Sequence, residues 1–164
     1  MTEPAWLSYA RRQLGTREAP GPANDGRIMA MATRAKKWLG IGYHADSIPW
    51  CGVYVADCME AAGFASPRGA IAVRASWWET WGVPTTPRVG AIMCFRRPGG
   101  GHVAFYVGED AAAYHVLGGN QSDAVTITRI ARNRLAACRW PDGIPITTKP
   151  RLASAGGAVS VNEA

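Results

Sequence analysis

The hydrophobic pattern of this chain changes period once, near Pro87, and that change does most to limit the fold. Before it, apolar residues recur at helical spacing; after it, short β-type runs alternate with Gly-rich turns. Thr2 to Leu14 predicts a first helix, with Thr2 as cap, Pro4 in the first turn and Gly15 past the end. Thr16 to Ala23 is a Pro/Gly loop. Asn24 or Asp25 can cap a second helix that carries Ile28, Met31, Ala32, Ala35, Trp38 and Leu39 on one face and stops at Gly40. The stretch SIPWCGVYVADCMEAAG (Ser47 to Gly63) predicts a third, capped by Asp46 or Ser47, with Pro49 in its first turn. A fourth is expected over Arg68 to Trp81. Five strands then follow: Val89–Phe95, His102–Gly108, Ala112–Gly119, Ala124–Ile130 and Leu135–Trp140. Helices first and strands second predict an α+β fold, with N-terminal helices packed on one face of a C-terminal antiparallel sheet of about five strands.

The chain has 164 residues, enough for one domain with a real core. Residues 1–141 are expected to form it. From Asp142 onward the chain is rich in Pro, Thr, Gly and Ala, so 142–164 is expected to be a poorly ordered tail. No apolar run approaches the roughly 20 residues a membrane span needs, and no membrane insertion is expected. The charged N-terminus lacks the features of a signal peptide. A formal charge of +6 favours an anionic partner. Lys and Arg are spread along the chain without a basic arm, which argues against nucleic acid. No CxxC pair and no zinc-finger His spacing occur among Cys51, Cys58, Cys94 and Cys138. Cys58, Cys94 and Cys138 sit among apolar neighbours and read as small core hydrophobes.

Cys51 differs because it falls at a helix start. Unpaired N–H groups and the helix dipole there stabilise a thiolate, and the same groups can hold an oxyanion. A buried structural thiol remains an equal reading from position alone. A nucleophile needs a base, and there are three histidines. His44 lies in a loop and His115 inside a strand, whereas His102 starts a strand after a glycine turn, where its ring can face a cleft. The base needs an orienting acceptor. Asn120 ends the next strand, and hairpin pairing brings it to the same end of the sheet as His102. Taken by itself, GGNQSD is also an ordinary turn.

Together, PWCGVYVADCMEAAG, GHVAFYVG and LGGNQSDAVTITRI resemble the Cys, His and Asn blocks of the CHAP superfamily. These are cysteine, histidine-dependent amidohydrolases/peptidases related to NlpC-type and papain-like hydrolases. The resemblance is to a small phage and bacterial endolysin-like group, and it spans roughly Leu7 to Pro141, in order. It implies a papain-like α+β fold and hydrolysis of amide bonds in peptidoglycan. Cys51 would be the nucleophile, His102 the general base and Asn120 the orienting residue. Gln121 shares the last block and is a candidate substrate contact. Some members bind calcium through a loop before the Cys. Asn24, Asp25 and Asp46 are no dense acidic run, so neither metal nor cofactor is expected. Together with the missing signal peptide, the resemblance suggests a protein made in a bacterial host cytoplasm that reaches the wall after release, as a phage endolysin or tail lysin does, with a bacterial toxin or effector exported by a dedicated machine as the other setting; a monomer is expected.

Other residues are weighed beside these. Trp50 adjoins the thiol and is expected to line the cleft. Trp77 and Trp81 read first as core, with sugar stacking second. Arg96 and Arg97 precede His102; Arg97 is a weak candidate for a substrate carboxylate. Glu18, Glu60 and Glu79 share no motif that would make a glycosidase pair. A wall-binding module without turnover and a protein-directed cysteine peptidase are the alternatives.

Overall fold

The computed structural model describes residues 2–39, 49–161 and 163. Three α-helices come first: α1 (Ala5–Arg12), α2 (Gly26–Leu39) and α3 (Cys51–Ala61). Two 3-10 turns follow, Ala70–Val73 and Ala75–Thr80. The strands are β1 (Val83–Pro84), β2 (Ile92–Arg97), β3 (Gly100–Glu109), β4 (Ala113–Gly118), β5 (Thr126–Ala131) and β6 (Leu135–Trp140). They form one sheet in the order β1-β6-β2-β3-β4-β5, antiparallel throughout. The fold is α+β, as the single change of period predicts.

Helix α3 is buried on every side from Cys51 to Met59, as expected of a helix apolar all round. Its Tyr54 ring meets Phe105 of β3 edge to face, centroids 6.3 Å apart. Its one buried charge, Asp57, accepts from Arg34 Nε and Nη2 at 2.8 Å each and from Tyr9 Oη at 3.1 Å. That carboxylate ties α1, α2 and α3 into one layer, because a buried charge is tolerated only when its oxygens are satisfied. Tyr54 Oη donates to Ala10 O at 3.0 Å, and Trp6 Nε1 to Gly90 O at 2.8 Å. Among the described residues no helix is long and apolar enough to cross a membrane.

Local details depart from the expectations. Helix α1 is capped by Pro4, with no side-chain cap from Thr2. Asp25 does cap α2, its Oδ1 accepting from the N–H of Arg27 at 2.8 Å and of Ile28 at 3.1 Å. Helix α3 starts at Cys51 with Trp50 as its cap residue, so Pro49 precedes the helix and is not in its first turn. Gly40, His44, Asp46 and Ser47 lie outside the described residues. The predicted helix over Arg68 to Trp81 is replaced by the two 3-10 turns, separated by an extended Arg74 (φ −80°, ψ 124°). The break seats Ala75 and Ser76 against β3, where a Cβ on Gly101 would lie 3.4 Å from the Ala75 Cβ. It buries Trp78 completely and leaves Trp77 43% exposed. Trp81 is half-buried and donates to Ala65 O at 2.9 Å. The sixth strand, β1, is a two-residue edge pairing on β6, a place where Pro84 is tolerated.

Among its described residues the segment after Asp142 carries no helix and no regular strand, yet it is tied to the sheet. Glu109 N–H donates to Arg151 O and Ala153 N–H to Glu109 O, both at 2.8 Å. Ser160 N–H donates to Arg129 O at 2.7 Å, and Arg134 pairs with the buried Glu163 at 2.8 Å. Main-chain bonds of this kind hold a segment without apolar periodicity, so the pattern that suggests a poorly ordered tail carries no sign of them.

Candidate active site

The site begins with α3. As the first helical residue, Cys51 has an N–H that finds no partner inside its helix, and its thiol sits at the helix end that favours an anion. The residue is 4% exposed. Burial pushes its thiol pKa up. The backbone N–H groups of Val103, Gly52 and Cys51 itself, and the Arg97 charge, oppose that rise. The part played by Val103 places β3 beside the thiol at the residue next to His102. Cys58, Cys94 and Cys138 are also buried, with thiols raised chiefly by desolvation, and none is disulfide-bonded. They serve as core residues.

His102 is wholly buried. Desolvation lowers its pKa to about 4, against the partial support of a hydrogen bond to Gln121. The ring is therefore neutral at pH 7. Its Nε2 lies 3.0 Å from Gln121 Oε1. Gln121 cannot usefully be turned over, because its own Nε2 donates to Thr126 O at 2.6 Å and to Val116 O at 3.3 Å. Gln121 Oε1 thus accepts, His102 Nε2 carries the proton, and Nδ1 keeps its lone pair. Nδ1 is buried and has no hydrogen-bond partner.

The partner of the imidazole is Gln121 and not Asn120, which corrects the sequence expectation. Asn120 stands in left-handed backbone at φ 58°, as do Ser122 (φ 52°) and Asp123 (φ 60°). Asn and Asp tolerate that conformation better than most residues. The turn carries Asn120 off the line of β4 and leaves its Nδ2 buried without a partner. The preceding glycines make the arrangement possible. A Cβ on Gly118 would fall 2.7 Å from Gln121 Oε1. A Cβ on Gly119 would fall 2.5 Å from Trp50 Cζ3 and 2.8 Å from Tyr54 Cβ. Gly119→Ala is accordingly expected to lower stability by about 1–3 kcal/mol through overpacking, measurable as a reduced urea midpoint with unchanged slope.

Trp50, expected to line the cleft, is instead fully buried. Its indole fills the space above Gly119 and donates to Glu18 Oε1 at 2.7 Å. A large aromatic beside the helix start is more stable packed under the GGNQ turn than facing water. His115 belongs to a separate cluster. Its Nε2 lies 2.6 Å from Asp110 Oδ2, and Arg129 binds the same carboxylate at 2.9 and 3.0 Å. Arg129, His115 and the Ala112 N–H hold Asp110 well below the usual carboxylate range. The acids of the glycosidase alternative are all engaged: Glu18 by Trp50, Glu60 by Ser66 and Arg68, Glu79 by Arg96.

An open cleft of about 420 Å³ reaches the thiol. Pro49, Val73 to Ser76, Arg97 and Gly99 to Gly101 line it with Cys51. Sequence reasoning missed its wall at Arg74, Ala75 and Ser76, because a regular helix there would not present these three together. Thiol, neutral imidazole and an adjoining cleft are what acyl transfer to sulfur requires. The family model of the CHAP domain matches residues 43–120. No curated protein matches the chain.

The lowered imidazole pKa has a consequence for stability. An unfolded His binds a proton below about pH 6.5, whereas His102 in the fold does so only near pH 4. Its contribution is complete above pH 6.5 and is lost as pH falls through that window, by on the order of 3 kcal/mol. Urea melts between pH 4 and 7 are expected to show this loss, and His102→Gln is expected to flatten it.

Proposed function

We propose that this protein hydrolyses amide bonds of bacterial peptidoglycan by acyl transfer through Cys51, with His102 as base and Gln121 as the residue that positions it. The observation that carries the reading is the tautomer set by Gln121, which leaves the basic nitrogen of a buried, neutral imidazole without a protein partner, on the strand whose Val103 N–H reaches the Cys51 thiol. Attack and proton transfer go together: Cys51 Sγ adds to the carbonyl as its proton passes to His102 Nδ1. The backbone N–H of Cys51 donates to the oxyanion. His102 returns the proton to the departing amine, and the C–N bond breaks to give a thioester. Water, deprotonated by the same nitrogen, then releases the carboxylic acid and the thiol.

Peptidoglycan is the substrate class that goes with the CHAP domain, and the formal charge of +6 suits an anionic wall. In this reading the protein is a lysin of the phage endolysin or tail type. The test is mass spectrometry of fragments released from purified sacculi. Free stem peptides beginning with L-Ala identify an N-acetylmuramoyl-L-alanine amidase, and cuts inside the peptide an endopeptidase. Intact sacculi after incubation with folded protein would overturn the reading.

A further inference from the structure

We propose that Arg74 and Arg97 form a carboxylate subsite in the Cys51 cleft, so that the enzyme selects a peptide with a free carboxylate next to the bond it cuts. The inference rests on the proposed hydrolase function and adds what the cleft recognises.

Arg74 and Arg97 line the same cleft as Cys51. Arg97 is half-buried, and its Nε donates to Gly101 O at 3.1 Å. That bond anchors the side chain against the β2–β3 turn and leaves both terminal nitrogens for a ligand. The turn is Pro98-Gly99, and Gly100 and Gly101 open β3 opposite Arg97 and Arg96; a Cβ on Gly100 would lie 3.9 Å from Arg97 Nη2. Arg74 reaches the cleft from the other wall, at the extended residue separating the two 3-10 turns. It is exposed, and its guanidinium takes part in no hydrogen bond or ion pair among the described residues.

Neither Arg74 nor Arg97 has a carboxylate partner among the described residues. Arg11, Arg34, Arg68, Arg96, Arg129, Arg132 and Arg134 all pair with carboxylates of the protein. Among the described residues of the cleft wall there is no Asp or Glu. Two cations facing an otherwise apolar and glycine-lined space attract an anion, and a guanidinium fork suits a carboxylate in bidentate geometry. Close to the nucleophile, that anion belongs to the substrate. Arg96, the neighbour in sequence, points to Glu79 and takes no part.

The test uses the full chain and two matched sets of purified muropeptides, one with free side-chain carboxylates and one with those groups amidated. Binding is measured by calorimetry with Cys51→Ala, alone and combined with Arg74→Gln, Arg97→Gln or Arg97→Lys. The free-carboxylate set is expected to bind about 10–100-fold more tightly than the amidated set. Arg74→Gln, which breaks no contact within the protein, is expected to erase most of that preference. Arg97→Lys should keep part of it, and Arg97→Gln should lose it. Equal binding of the two sets, or a preference that survives Arg74→Gln and Arg97→Gln together, would overturn the subsite. Hydrolysis by the unmodified protein reports separately. If both sets are cut at equal rates the subsite fails while the hydrolase stands; if neither is cut the hydrolase reading fails and the binding comparison still decides the subsite.

Discussion

Cys51→Ala is expected to reduce fragment release from sacculi by at least about a thousandfold while the protein stays folded. Loss of a nucleophile removes the covalent route, and what remains comes from binding and oxyanion stabilisation alone. The side chain is small and replaced by a smaller one, so little packing is lost. The thermal midpoint is the control: it should move by only a few degrees. Cys58→Ala is the matched comparison. It removes an equally buried thiol deeper in the same helix and should cost stability without changing the specific activity of the folded fraction. If Cys51→Ala retained more than about a tenth of the activity, no triad chemistry at this thiol would survive.

The second large effect concerns the pair Asn120 and Gln121. Gln121→Ala is expected to lower kcat by on the order of a hundredfold, because the imidazole then loses the acceptor that fixes its tautomer and direction. Asn120→Ala is expected to act chiefly on stability, by about 1 kcal/mol, since Ala tolerates φ 58° less well than Asn does. A merely structural role for Gln121 would lower kcat without moving its pH dependence, so the pH profile of kcat/KM separates the two. The hydrogen bond to Gln121 raises the His102 pKa; removing it should move the acid limb to lower pH. Gln121→Glu puts a negative charge there and should move the limb to higher pH. A profile unchanged in both variants, or a larger kcat loss in Asn120→Ala than in Gln121→Ala, would return the role to Asn120.

Why sequence pattern chooses Asn120 and geometry chooses Gln121 is a matter of one turn. Alternation along β4 locates which end of the sheet the GGNQ stretch occupies, and it does so correctly. It cannot follow the chain through three residues of left-handed backbone, where the direction of each side chain no longer alternates. Trp50 shows the same limit. Its position beside the thiol is visible in the order of residues, but the glycine that leaves room for its indole, Gly119, is 69 residues further along.

The sequence by itself determined the order and type of the main elements, because a change from helical to alternating period is a local property that each segment carries alone. It also determined that the thiol opens a helix and that a histidine follows a glycine turn. Tertiary structure alone decided which amide holds the imidazole, which arginines line the cleft with Cys51, and that the predicted fourth helix is two tight turns. Those outcomes depend on contacts between segments far apart in the chain. The seat of Ala75 and Ser76 against Gly101 is such a contact, and it outweighs the few tenths of a kcal/mol per residue by which local propensity favours one backbone state over another.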